Sequence, residues 1–141
     1  MKYFVYSFKK AIDEILPFML EAQKEIYPEE EEWKREYWRI FEENPLNYAI
    51  VVFDKGIPVG FSFVVICRKD RENKLFATNS ALYLDPRVRG YAGGKLIRIS
   101  EEVAKTRGAS EFEWDVIPGS DMDRMLEKRY KKHSIIYSKD L

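Results

Sequence analysis

Leu82-Tyr83-Leu84-Asp85-Pro86-Arg87-Val88-Arg89-Gly90-Tyr91-Ala92-Gly93-Gly94-Lys95 joins the end of a strand-like run to the start of a long helical pattern. A helix start carries unpaired N–H groups and the positive end of the helix dipole, and small residues there let a phosphate approach the main chain. A nest of such amides holds phosphate with little help from side-chain charge. Two phosphate motifs can be tested against the letters. The Walker pattern needs four residues between its glycines and Ser or Thr after its lysine, whereas three residues separate Gly90 from Gly94 and Leu96 follows Lys95. The dinucleotide fingerprint needs glycines at relative positions 1, 3 and 6, and here they stand at Gly90, Gly93 and Gly94. Neither fits. A turn of small residues closing a strand–helix junction, with no ligand, is the alternative reading.

Outward from this stretch the pattern is regular. Downstream, a helix runs from about Gly90 to Thr106, with Leu96, Ile99 and Val103 as its buried stripe and Gly108 as its stop. Arg98/Glu102 and Glu101/Lys105 are expected as i,i+4 ion pairs on its wet side. Upstream, Phe76 to Leu84 reads as a strand ended by Asp85-Pro86. Tyr48 to Phe53 and Ile57 to Ile66 are two more, joined by the hairpin chemistry of Asp54-Lys55-Gly56. The second of these puts Val59, Phe61, Phe63 and Val65 on one side, and Val64 and Ile66 on the other. A strand apolar on both sides is covered on both, which predicts helices on each face of a mostly antiparallel sheet.

The flanks complete the order. Lys2 to Tyr6 reads as an edge strand, and Phe8 to Tyr27 as helix, with Ile12, Ile15, Leu16, Met19 and Leu20 at helical spacing. Pro17 lies inside that pattern and predicts a kink or two short helices. A second helix carries Trp33, Tyr37, Ile40 and Phe41 on one stripe and stops at Asn44-Pro45. Glu29 to Glu32 sit at its start, where carboxylates suit the dipole; an acidic mouth for a cationic substrate is the functional alternative. After a charged loop at Arg68 to Lys74, the C-terminal part adds a strand at Phe112 to Ile117, a short helix over Asp121 to Lys128 capped by Ser120, and a final strand at Ser134 to Lys139. The expectation is one α/β domain over residues 1–141, in the order β-α-α-β-β-β-α-β-α-β.

Composition bounds the function. The 141 residues hold 24 basic and 24 acidic side chains, which argues against gripping nucleic acid by bulk charge. The balance is uneven, with 7 basic and 11 acidic residues in 1–50 and 17 and 13 in 51–141. No apolar stretch reaches the ~18 residues of a membrane span, and the N-terminus is not a signal peptide. Cys67 and His133 are single residues of their kind, so neither an internal disulfide nor a structural zinc site is expected. No metal is expected. The expected compartment is a reducing cytoplasm.

Arg87-Val88-Arg89-Gly90-Tyr91-Ala92 fits the pattern Arg/Gln-x-x-Gly-x-Gly/Ala and resembles the acetyl-CoA signature of the GNAT N-acetyltransferase superfamily. Asp85-Pro86, the helix tail Glu101–Gly108 and the segment Leu126-Glu127-Lys128-Arg129-Tyr130-Lys131 are similar to that family in the same order. The resemblance covers roughly residues 48–141, and the C-terminal half is similar to compact GNAT-like proteins of phages and bacteria. It implies acetyl transfer from acetyl-CoA, the cosubstrate, to a primary amine of a small molecule or a protein. It also implies that the amides of Arg89, Gly90, Tyr91, Ala92, Gly93, Gly94 and Lys95 cradle the diphosphate. Leu82 and Leu84 would then pair their main chain with the pantetheine arm. Arg124, Lys128 and Lys132 either reach the CoA phosphates or line a solvated helix face.

Two positions depart from the family. Leu126 stands where a tyrosine often protonates the CoA sulfur, and Ile117 where Asn is common. Tyr130 is the nearest substitute acid, with plain packing as its alternative. Asn79 and Tyr83, with Glu113 and Asp115, are the candidates for a base or water relay, or else cross-strand polar residues. His133 is a further candidate by residue type, with a solvent-facing loop position as the favoured alternative. A catalytically degenerate protein that binds CoA or a protein partner without turnover is the second functional class. Neither nucleic acid nor membrane is an expected partner, and the oligomeric state is open, a homodimer included.

Overall fold

The computed structural model describes residues 1–69, 72–133 and 135–141. Strand β1 (Lys2–Tyr6) leads into helix α1 (Phe8–Ile26), a 3-10 turn at Arg35–Trp38 and the short helix α2 (Arg39–Glu42). Strands β2 (Tyr48–Asp54), β3 (Ile57–Lys69) and β4 (Lys74–Leu84) follow, then helix α3 (Arg89–Thr106), strand β5 (Ala109–Glu113) and helix α4 (Asp121–Glu127). The sheet order is β1-β2-β3-β4-β5, antiparallel throughout except for the parallel β4–β5 pair. The α/β architecture with a mostly antiparallel sheet is therefore as expected.

Each face of the sheet is covered. Phe8, Ile12, Ile15 and Met19 of α1 bury against Val51, Phe61, Phe63 and Val65, with Trp38 beside them. On the opposite face Ala92, Leu96 and Ala104 of α3 bury against Ile50, Val52, Val64, Ile66 and Ala77. Val59 joins this second face rather than the first. A bulge explains the switch: Val52 pairs with Gly60 and Phe53 with Pro58, so Val59 is the extra residue and turns over. The hairpin reading holds, because Lys55 (φ 52°) and Gly56 (φ 78°) take the two left-handed positions of a tight β-turn.

Several expectations need correction. Pro17 does not split the helix in two: α1 runs from Phe8 to Ile26 through it. Pro17 and Asp13, whose carbonyl loses its helical donor, both face solvent, so water can take that carbonyl. The expected second helix is a 3-10 turn plus one α-turn anchored by Trp38, while Tyr37, Ile40 and Phe41 are exposed. Strand β5 ends at Glu113, short of Ile117. Residues 135–141 form no strand, although Ile135, Ile136 and Tyr137 have strand propensity; they take no sheet edge and are exposed. Ser134, the first residue of that expected strand, and Asp70 and Arg71 of the charged loop lie outside the described residues.

The segment between α1 and the 3-10 turn is fastened from below by a residue the sequence did not single out. Gln23 is buried and its amide donates to Glu31 O (2.6 Å), while its Oε1 accepts from Trp33 N–H (2.7 Å). Gln23→Leu keeps the volume but strands two main-chain groups, so it is expected to cost about 1–3 kcal/mol. Urea denaturation measures this directly.

Candidate functional site

The site is built where β4 loses its neighbour. Strand β4 pairs with β3 from Lys74 to Leu84, but with β5 only from Leu75 to Thr78. The break coincides with a bulge at Ser80, since Phe63 pairs with Ala81 and Val64 with Asn79. A bulge bends its strand and increases twist, which carries Asn79–Leu84 away from the line of β5. Asn79 braces the bulge: its amide donates to Ser62 Oγ (3.0 Å), Ala81 O (3.1 Å) and Phe63 O (3.2 Å). Its side chain is thus engaged inside the sheet.

The main chain beyond the bulge has a definite phase. Asp85 N–H donates to Val59 O at 2.7 Å. Bonding toward one neighbour alternates along a strand, so Ala81 and Tyr83 share that phase with Asp85. Leu82 and Leu84 therefore turn their N–H and C=O groups to the outer edge, where β5 has stopped. Leu84 O accordingly accepts from outside the sheet, taking a bond from Arg89 Nε at 2.8 Å.

Helix α3 starts beside this open edge. Asp85 Oδ1 accepts from Arg87 N–H (3.0 Å) and Nε (2.9 Å), and Val88 N–H donates to Asp85 O, which sets the turn. The Arg87 bonds hold the Asp85 carboxyl below the usual carboxylate range. Ala92 N–H donates to Val88 O at 3.0 Å and Tyr91 N–H to the same oxygen at 3.3 Å. Among the described residues the N–H groups of Arg89 and Gly90 have no main-chain acceptor. The helix already runs through Ala92, Gly93, Gly94 and Lys95, so their amides belong to its own ladder. Lys95 also points elsewhere, its ammonium 4.7 Å from the Tyr3 ring centre.

Gly90, Gly93, Gly94 and Ile97 share one helical face. A methyl group added at Gly90 or Gly94 would meet nothing within 4 Å, and one at Gly93 would lie 3.7 Å from Leu84 Cδ1. The smooth face of α3 thus adjoins the unpaired end of β4. Two concavities of about 320 and 200 Å³ lie elsewhere, lined by Ser7 and residues of α1 and of 28–32.

On the α1 side of the junction three side chains meet. Tyr83 donates its hydroxyl proton to Glu25, and Glu25 pairs with the Arg89 guanidinium at 2.6 Å. The guanidinium lies 5.5 Å from the Tyr83 ring centre. Burial, then the Glu25 carboxylate, pushes the Tyr83 phenol up to about 12, so it stays a neutral donor. The Tyr83 and Arg89 bonds hold the Glu25 carboxyl below its ordinary value. Glu25 was not legible in the sequence: it is one of several exposed carboxylates of the N-terminal helices, and only the long-range contact to β4 distinguishes it.

Tyr130 is not part of this cluster. Its hydroxyl donates to Glu101 (2.7 and 2.9 Å), which also accepts from Trp114 Nε1 (2.9 Å). Glu101 therefore does not serve the expected pair with Lys105, whereas Arg98 and Glu102 do pair, at 3.9 Å. Glu101 lies about 18 Å along the α3 axis from Arg89. Burial and then Glu101 raise the Tyr130 phenol to about 12. Arg124 is engaged by Asp121 and by Gly119 O, whereas Lys128, Lys132, His133 and Asp115 are exposed. Among the described residues no three His, Cys, Asp or Glu side chains gather as a metal site, and no helix is long and apolar enough to cross a membrane.

No protein-family model matches the chain, and no curated protein does. Solved structures match over its full length. An aminoglycoside acetyltransferase, meta-AAC0020 from an uncultured soil metagenomic sample, superposes with a TM-score of 0.79 at 13% identity, covering 99% of this chain and 95% of that one. That protein is a GNAT acetyltransferase, and this chain shares its fold. The aminoglycoside N-acetyltransferase AAC(6')-Iy, solved with CoA, gives 0.70 at 11% identity over 99% of this chain and 100% of its own. A transcriptional regulator from Bacillus halodurans C-125 superposes as well, with a TM-score of 0.77 at 20% identity over 99% of each chain. The likeness is one of fold, and the resemblance carried by Arg87–Ala92 falls within it.

Proposed function

We propose that the protein is an acetyl-CoA-dependent N-acetyltransferase acting on a primary amine of a small molecule or a protein. The observation that carries this reading is the open half-edge of β4, Asn79–Leu84, lying beside the glycine face of α3 and its two unpaired amides. A diphosphate at Arg89 and Gly90 N–H would gain the helix dipole and two donors. An arm extended from it along Leu82 and Leu84 would complete the strand hydrogen bonds that β5 leaves open. The residues present fit the cosubstrate: the glycine face is open at Gly90 and Gly94, and at the β4 edge the Arg89 guanidinium on Leu84 O would have to move. Similarity to acetyltransferases solved with CoA or with aminoglycosides supports the cosubstrate and the amine class, a polyamine sugar being one such acceptor.

When bound, acetyl-CoA supplies the activated acyl group as a thioester. The chain would position it, place the amine against it, and stabilise the oxyanion. The outward N–H groups of Leu82 and Leu84 are the donors placed for that oxyanion. Holding the two reactants together is worth at most ~7–11 kcal/mol of barrier, so such a site works with modest acid–base help. A protonated amine with pKa ~10.4 must still shed a proton before attack. Tyr83 and Glu25, hydrogen-bonded to each other on the α1 side of the junction, are the polar groups proposed to help it do so. Asn79 is better read as the brace of the bulge.

Purified protein mixed with acetyl-CoA and a panel of amines and peptides is expected to release free thiol and give acetylated product. Tyr130→Phe is expected to leave kcat within about twofold, because that hydroxyl is held by Glu101; a tenfold or greater fall at unchanged CoA affinity would return Tyr130 to the role of acid. A second reading, CoA binding without turnover, is favoured by the buried Leu126 in the usual acid position. Tight CoA binding with no product from any acceptor would establish it.

A further inference from the structure

We propose that Arg89 is a latch that leaves Glu25 for the diphosphate of the cosubstrate, uncovering a carboxylate that receives the ammonium of the acceptor. The inference rests on the acetyl-CoA reading and adds to it a residue for each substrate. Arg89 occupies an unusual double position. Its N–H is one of the two unpaired amides at the anion-facing end of α3, yet its guanidinium reaches back to α1. There it makes two bonds that the bound state needs vacated. One goes to Glu25 (2.6 Å), the other to Leu84 O (2.8 Å), a group on the same outward edge that an extended arm would pair with.

The magnitudes favour release. The Arg89 and Glu25 side chains are 49% and 42% exposed, and exposed ion pairs contribute little. A diphosphate offers more charge and a bidentate fit to the planar guanidinium. The neighbouring acid does not compete for Arg89, because Asp85 has its own partner in Arg87. Once Arg89 turns, Glu25 retains the Tyr83 hydroxyl on one oxygen and presents the other. A guanidinium is a cation with N–H donors, so its seat on Glu25 is chemically matched to a primary ammonium.

Coenzyme A titrations by calorimetry on four proteins test the latch. In the wild type CoA binds with the guanidinium first having to leave Glu25. Glu25→Gln keeps an acceptor for Tyr83 but weakens the hold on Arg89, so CoA should bind about two- to fivefold more tightly. Arg89→Gln should weaken CoA binding by about fivefold or more, and adding Glu25→Gln to it should change nothing further. Melting temperatures of the four proteins check that each is folded. Unchanged or weaker CoA binding in Glu25→Gln, with the wild type binding normally, overturns the latch and leaves the acetyltransferase reading intact. No CoA binding in the wild type overturns both.

Discussion

Gly94→Glu is expected to lose coenzyme A binding by about 100-fold or more while the protein stays folded, because like charges brought together at a binding surface cost several kcal/mol. The two halves of this result have separate causes. A Cβ added at Gly94 meets nothing within 4 Å, so the substitution begins in open space. Replacing glycine inside a helix also removes a propensity cost of up to about 1 kcal/mol, so the melting temperature should hold or rise. The carboxylate would lie on the helical face it shares with Gly90, against the path proposed for the diphosphate and arm. Gly94→Ala is the control. It adds bulk without charge at the same open position and should lose far less affinity. Equal losses in the two variants would mean that the face is closed by shape alone.

Gly60→Val should have the largest effect on the fold. Gly60 sits in β3 opposite Leu84, and a Cβ there would lie 2.5 Å from Leu84 Cδ2 and 2.9 Å from Tyr83 O. The first atom is the end of a flexible side chain and can move. The second is main chain held in the ladder and cannot move without displacing β4. Overpacking of this kind costs about 1–3 kcal/mol or more, and a branched side chain falls at the upper end. The displaced segment is Tyr83–Leu84, so CoA affinity should fall together with stability. Denaturant unfolding followed by CoA titration of the folded variant separates the two effects. Full stability in Gly60→Val would mean that the β3–β4 spacing at this point is looser than the register implies.

How much of this was legible in the letters depended on whether the signal was local. The strand–helix junction, the Asp54-Lys55-Gly56 hairpin and the two-sided burial of β3 are short-range patterns, and each is found in the structure. What failed depends on partners distant in sequence. Val59 changes face because of a bulge set by its pairing with β2. Trp38 rather than Tyr37 or Phe41 anchors the second helical segment, because the core it meets, Phe8 and Phe63, comes from elsewhere in the chain. Pro17 is tolerated because it faces water, which its own pattern does not reveal.

The site divides along the same line. Leu82, Leu84, Arg89 and Gly90 could be named from the motif because the role proposed for them is main-chain geometry at a junction. The motif alone could not say where the helical ladder begins. Side-chain partnerships were out of reach: Glu25 with Tyr83 spans 58 residues and Tyr130 with Glu101 spans 29. Asn79 carried two readings, a proton relay or a cross-strand polar residue, and its amide is found bracing a bulge, a role defined by the register between β3 and β4.

Amide chemical shifts recorded while CoA is titrated into labelled protein test the central claim most directly. The largest changes should fall on Arg89 and Gly90, on Gly93 and Gly94, and on Leu82 and Leu84, with β1 and the first half of α1 unmoved. Shifts clustered away from the β4–α3 junction, or none at saturating CoA, would contradict it.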